Sequence, residues 1–133
     1  WAGNQTQDGG FYRARYTGKP MHLPTTLRAV ASGLEIPFTD PIDRASAEQP
    51  GNYRVKVWSL RRSRQYGSPH LNERTLTVAG ATLASDGRTL SLAIPQIEPT
   101  MCMEIVMKLR SVDGQAFERT IHNTIHALGE ETP

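Results

Sequence analysis

MCMEIVMKLR, residues 101–110, alternates between two faces without a break for ten residues. Met101, Met103, Ile105, Met107 and Leu109 fall on one side; Cys102, Glu104, Val106, Lys108 and Arg110 fall on the other. A period of two with one wholly apolar face predicts a strand whose inner side packs in a core and whose outer side is largely wet. Such a strand sits centrally in an antiparallel sheet.

The stretches on either side follow the same rule. NYRVKVWSL, residues 52–60, places Tyr53, Val55 and Val57 on one face and Arg54, Lys56, Trp58 and Leu60 on the other. Ser85-Asp86-Gly87 separates two apolar alternating runs, Leu76 to Ala84 and Arg88 to Pro95, and an Asp-Gly pair in that setting is a strong hairpin signal. Leu90, Leu92 and Ile94 are the expected core residues there. Thr26 to Ala31 and Leu34 to Phe38 predict a hairpin around Ser32-Gly33, with Leu34, Ile36 and Phe38 inward. Pro37 lacks an amide donor and must lie where no ladder bond is needed. A further hairpin is expected at Val112-Asp113-Gly114-Gln115, leading to a last strand through Phe117, Arg119 and Ile121. FYRARY, residues 11–16, alternates and predicts an edge strand. The middle of Thr39 to Gly51 is compatible with a turn or two of helix. Arg61 to Arg74 is the longest irregular stretch, and long loops on compact scaffolds tend to be functional. Seven or eight short strands with hardly any helix specify an all-β, antiparallel sandwich.

The chain has 133 residues, enough for one domain that buries roughly two thirds of its unfolded surface. Residues 1–10 suggest a linker or a remnant of a preceding domain, 11–128 the sandwich, and 129–133 a disordered tail. Fifteen basic and thirteen acidic residues leave a formal charge of +2, too near balance to favour nucleic acid as a partner. Twelve of the fifteen cations are Arg, the residue suited to bidentate and stacked contacts. One cysteine excludes an internal disulfide. No apolar run is long enough for a helical membrane span.

Three pieces carry a family resemblance: FTDPIDRASAEQPGNYRV, LASDGRTLSLAIPQIEP and MEIVMKLRSVDGQ. They resemble bacterial Ig-like domains, which implies a Greek-key sandwich over residues 23–128. WAGNQTQDGGFYRARYTGKP, VWSLRRSRQYGS and TIHNTIH are similar to the carboxy-terminal module of large secreted planctomycete and verrucomicrobial proteins. In those proteins a β-propeller similar to sorbosone or glucose dehydrogenases, and often a cytochrome c domain, precedes the module. The resemblance implies a secreted or periplasmic context and a neighbouring domain of the same parent chain as partner. It carries no catalytic residue onto this chain.

The candidate ligand-binding group is basic and aromatic: Arg54, Lys56 and Trp58 on one strand face, continuing into Arg61, Arg62, Arg64 and Tyr66. No acidic residue occurs from Gly51 to Asn72. A tryptophan beside guanidinium groups can stack on a sugar ring while Arg supplies paired donors to an acidic or sulfated polysaccharide. The competing view has Trp58 roofed by the long loop and the arginines forming a solvated rim or a docking face. His122 and His126 have the spacing that chelates a metal on a helix, but on a strand they stand ~13 Å apart. Met101, Met103 and Met107 with His22 or His70 are conceivable soft ligands for copper or haem, though methionines on an apolar strand face are far more often core. No carboxylate pair and no nucleophile with a base stands out, and Cys102 has no adjoining base. The expectation is a non-catalytic accessory module of a larger secreted bacterial protein, for interdomain docking or polysaccharide binding, with no cofactor. The alternative is an electron-transfer module with His and Met ligands.

Overall fold

The computed structural model describes residues 11–130, and the sequence readings on residues 1–10 and 131–133 fall outside them. Eight strands form: β1 (Arg28–Val30), β2 (Gly33–Pro37), β3 (Tyr53–Ser59), β4 (Leu71–Leu76), β5 (Gly80–Leu83), β6 (Thr89–Ala93), β7 (Thr100–Arg110) and β8 (Ala116–Ile125). They make two four-stranded sheets, ordered β1-β2-β6-β5 and β4-β3-β7-β8, with every strand pairing antiparallel. Lettered along the chain, these orders are A-B-E-D and C′-C-F-G, the arrangement of an Ig-like Greek-key sandwich. Each hairpin stays within a sheet, and the chain changes sheet after β2, β4 and β6.

The alternating residues fill the space between the sheets. Leu34, Ile36, Val55, Leu90, Ile94, Ile105 and Met107 are each at most 1% exposed, and Leu92, Met103 and Leu109 join them. β7 and β3 pair from Tyr53–Met107 to Trp58–Cys102, so the two clearest period-two runs lie side by side at the centre of their sheet. Pro37 fits its strand for a simple reason. Phe38 N–H donates to Arg88 O and Ile94 N–H to Ser32 O, so the even residues of β2 bond toward β6. The nitrogen of Pro37 therefore faces the other way, beyond the start of β1.

The segment 39–52 supplies a four-residue helix, α1 (Arg44–Ala47), capped by the Asp43 carboxylate, which accepts Ser46 N–H at 2.7 Å. Tyr53 at the start of β3 donates its hydroxyl to Ala47 O, pinning the helix to the core, and burial holds its phenol well above the ordinary range. A strap, residues 21–25, ties the two sheets together. Thr25 N–H bonds Pro37 O, Leu23 N–H bonds Thr39 Oγ1, and Thr39 N–H bonds Leu23 O. From the other sheet, Arg119 on β8 reaches the carbonyls of His22 at 3.1 Å and Met21 at 2.5 Å.

Four expectations are corrected. FYRARY forms no strand: Phe11, Tyr12 and Tyr16 stand fully exposed, because an isolated strand has no ladder partner to stabilise it. The long loop ends at residue 70, since LNERTL is strand β4 despite four exposed residues in six. Leu76 accordingly belongs to β4, and the Asp86-Gly87 hairpin begins at Gly80. Met101 is 50% exposed, because an extra residue opposite Thr124 shifts the β7–β8 register and turns its side chain out of the core. Beyond these, Gly129 bridges in parallel to Val30 and donates its N–H to Ala29 O.

Candidate functional site

The outward face of the β4-β3-β7-β8 sheet and the loop 61–70 carry the basic aromatic group. The register divides that group in two. Lys56 lies directly opposite Glu104 of β7, and Trp58 lies opposite Cys102. Arg54 Nη2 is 3.3 Å from Glu104 Oε1, and Lys56 Nζ is 3.9 Å from the same oxygen and 3.3 Å from Glu73 Oε1. His122 of β8 sits directly opposite Glu104, with Nε2 at 4.0 Å from Oε2. The two cations predicted as ligand-binding residues are thus neutralised by two carboxylates from flanking strands. Arg54 is largely in solvent and its pair is worth little to stability, whereas Lys56 and Glu104 are mostly covered; together the pairs leave the face near electrical balance.

Trp58 is half-buried and its ring is occupied. Between Val57–Arg74 and Ser59–Leu71 the β3–β4 register slips, so Asn72 and Glu73 together face Trp58. Asn72 has φ 53°, a left-handed conformation that Asn adopts more readily than most residues. The bulge brings His70 back over the sheet. Its imidazole stacks on the Trp58 indole with centroids 4.1 Å apart and planes at 16°, and Lys56 Nζ lies 5.9 Å from the indole centroid. His70 Nδ1 donates to Glu73 Oε2 at 2.6 Å, and that bond, with Lys56, holds the Glu73 carboxyl below its ordinary range. An indole stacked on this fixed imidazole is not an open platform for a sugar ring on that face.

The loop half is different. Arg61, Arg62 and Arg64 are exposed, and among the described residues no carboxylate forms an ion pair with any of them. Tyr66 is fully exposed. Ser68 Oγ accepts Arg61 N–H at 3.0 Å and closes the base of the loop, while the His70–Trp58 stack anchors its far end. The seven predicted residues are therefore brought to one edge of one sheet, but as a paired, roofed patch and an unpaired cationic loop. His70, Glu73 and Glu104 complete the patch. Glu104 was signalled by its outward place in the β7 alternation, whereas His70 and Glu73 depend on a bulge that no local pattern reveals.

The residues of the electron-transfer alternative lie apart. Met103 and Met107 are buried among aliphatic side chains, and Met101 faces out. His22 stacks on Phe117 at 5.0 Å, His70 on Trp58, while His122 lies within β8 and His126 just past its end. Among the described residues no three His, Cys, Asp or Glu side chains converge to hold a metal ion. Cys102 is a free, half-buried thiol. Among the described residues no helix is long and apolar enough to cross a membrane. In comparison with known proteins, no family model, no curated protein and no solved structure matches the chain.

Proposed function

We propose that this Ig-like sandwich is a non-catalytic accessory module of a larger secreted bacterial protein, and that it binds an acidic or sulfated polysaccharide through the loop 61–66. The observation that supports this reading is the contrast within the basic group. Arg54 and Lys56 are matched by Glu73 and Glu104, while Arg61, Arg62 and Arg64 are exposed and unpaired beside a fully exposed Tyr66. Guanidinium groups donate paired N–H bonds to sulfate or carboxylate oxygens in fork geometry, and a tyrosine face adds contact area at low entropic cost.

The test is affinity electrophoresis or calorimetry with a sulfated dextran, a polyuronate and neutral dextran. Retention by the two polyanions, weakened as salt shortens the ~10 Å screening length and lost in Arg61→Ala/Arg62→Ala/Arg64→Ala, is the expected result. Equal behaviour of the triple variant and the parent would refute it. Docking against a neighbouring domain is the second reading. It is favoured by Phe11, Tyr12 and Tyr16, aromatic side chains left wholly in solvent on the segment that leads into the domain.

A further inference from the structure

The four sheet edges are not alike. β1 is only three residues long, and Gly129 bonds to it. The β5 edge is closed by α1: Leu83 N–H donates to Glu48 Oε1 at 3.2 Å, and Arg44 donates to the carbonyls of Leu83 and Ala84 at 2.6 and 3.0 Å. β4 is kinked by its bulge and carries Glu73 and Arg74. Bulges, charges, short strands and covering helices are the means by which sheet edges are kept from pairing with other chains. β8 has ten residues; it carries Glu118 and Arg119 and a register shift near its end, but among the described residues no helix or other segment bonds along its outer edge from Thr120 to Thr124.

Which of its backbone groups are free follows from the ladder. Ser111 N–H bonds Gln115 O, so in the β7–β8 pair the odd residues of β8 bond toward β7. The N–H and C=O of Glu118, Thr120, His122 and Thr124 point away from the sheet. The Glu118 carbonyl is taken by Arg119 Nη1 at 2.7 Å. Nothing among the described residues bonds the outward groups of Thr120, His122 and Thr124.

We propose that β8 is a self-association edge, pairing antiparallel with β8 of a second copy to make one continuous eight-stranded sheet. The pairing is centred on Ile121. In that register Thr120 and His122 exchange both backbone bonds with His122 and Thr120 of the second copy, and the free N–H of Glu118 meets Thr124 O. Thr124 N–H of the second copy in turn meets the Glu118 carbonyl, which accepts it on the lone pair left beside its bond to Arg119 Nη1. Ile121 faces Ile121 of the second copy as a close, non-hydrogen-bonded pair. On the outer face, Glu118 lies diagonal to both His122 and His126 of the second copy, opposite-charge neighbours once either imidazole is protonated. Centring on His122 instead would oppose two imidazoles, and centring on Thr120 would set Ile121 against Arg119 of the second copy. A two-fold interface of this kind closes on itself and stops at the dimer. The proposal is independent of the polysaccharide reading, because β8 and the loop 61–66 lie at opposite sides of the sheet.

The experiment is sedimentation equilibrium of the 133-residue chain over a hundredfold range of concentration, with Thr120→Pro as the variant. Proline at this position removes an outward N–H and leaves every β7–β8 bond in place. Concentration-dependent dimerisation, weakened at least tenfold by Thr120→Pro with the far-UV spectrum retained, is expected. In a Cys102→Ser background, Ile121→Cys should form an intermolecular disulfide under mild oxidation, and Thr124→Cys should not. A chain that stays monomeric throughout and fails to crosslink at Ile121→Cys overturns the proposal. So does a dimer indifferent to Thr120→Pro, or one abolished by removing residues 1–16, which would assign the edge to the Phe11–Tyr16 segment.

Discussion

Gly33→Ala tests whether the β2–β6 pairing rests on a direct approach of backbone to backbone. Gly33 opens β2 with φ 153°, a conformation that L side chains rarely adopt, and it sits against the opposing strand at its pair, Ala93. A Cβ built there would lie 1.8 Å from Leu92 O and 2.9 Å from Leu92 C, atoms of the ladder that cannot turn aside. The strained backbone alone costs about 1–2 kcal/mol. Overpacking against an unyielding neighbour adds about 1–3 kcal/mol. Together they remove roughly 2–5 kcal/mol from a domain whose whole stability is on the order of 5–15 kcal/mol. Gly114 provides the comparison. Its φ is 86°, but a Cβ there meets no atom within 4 Å, so Gly114→Ala should show the conformational cost alone. Urea unfolding followed by far-UV circular dichroism measures both. With a slope of about 1.5 kcal/mol/M, the Gly33→Ala midpoint should fall by roughly 1–3 M and the Gly114→Ala midpoint by about 1 M. A Gly33→Ala midpoint no lower than that of Gly114→Ala would show that the strands separate at little cost and would sink the reasoning.

Three further outcomes are expected. In a Trp1→Phe background, His70→Ala should red-shift Trp58 emission and raise its acrylamide quenching, because it removes the imidazole stacked at 4.1 Å; unchanged quenching would show that the stack does not shield the indole. Asp40 accepts from Thr39 Oγ1, His22 N–H and Met21 N–H, and these bonds lower its pKa from 3.8 to about 2. A depressed carboxyl stabilises the fold above its unfolded value and loses that contribution as pH falls from about 4 through about 2, so Asp40→Asn should flatten stability against pH in that window; a parallel curve would contradict the assignment. Asn123 on the inner face of β8 has both amide atoms enclosed and without hydrogen-bond partners, so Asn123→Leu should raise stability by about 1–2 kcal/mol, and a loss measured in the same urea titration would indicate that the amide is satisfied in solution.

The sandwich was legible because its central strands repeat a two-residue period long enough to outweigh accident. Residues 53–57 and 103–109 face as their alternation requires, and the Asp86-Gly87 turn lies where its chemistry demands. Two errors have a common cause. FYRARY has the local pattern of a strand but no neighbour, while LNERTL has almost none of the pattern yet pairs with β3. Strand formation is a property of pairs, and a single run of sequence records only half of it. The candidate site shows the same limit: the acid-free stretch from Gly51 to Asn72 suggested an open basic face, but Glu104 arrives from β7 some fifty residues later in the chain.

The strap at residues 21–25 gives the domain a defined response to mechanical load. Tension arriving along the chain from residue 20 meets Asp40, which grips two successive amides, and Arg119, which grips the two matching carbonyls from the other sheet. Force is shared between both layers before it reaches the three-residue β1, and the Leu23–Thr39 and Thr25–Pro37 bonds behind that grip must be sheared together rather than opened one by one. A β-sandwich so fastened at its entry resists extension as a unit, because the first load falls on bonds in both sheets at once.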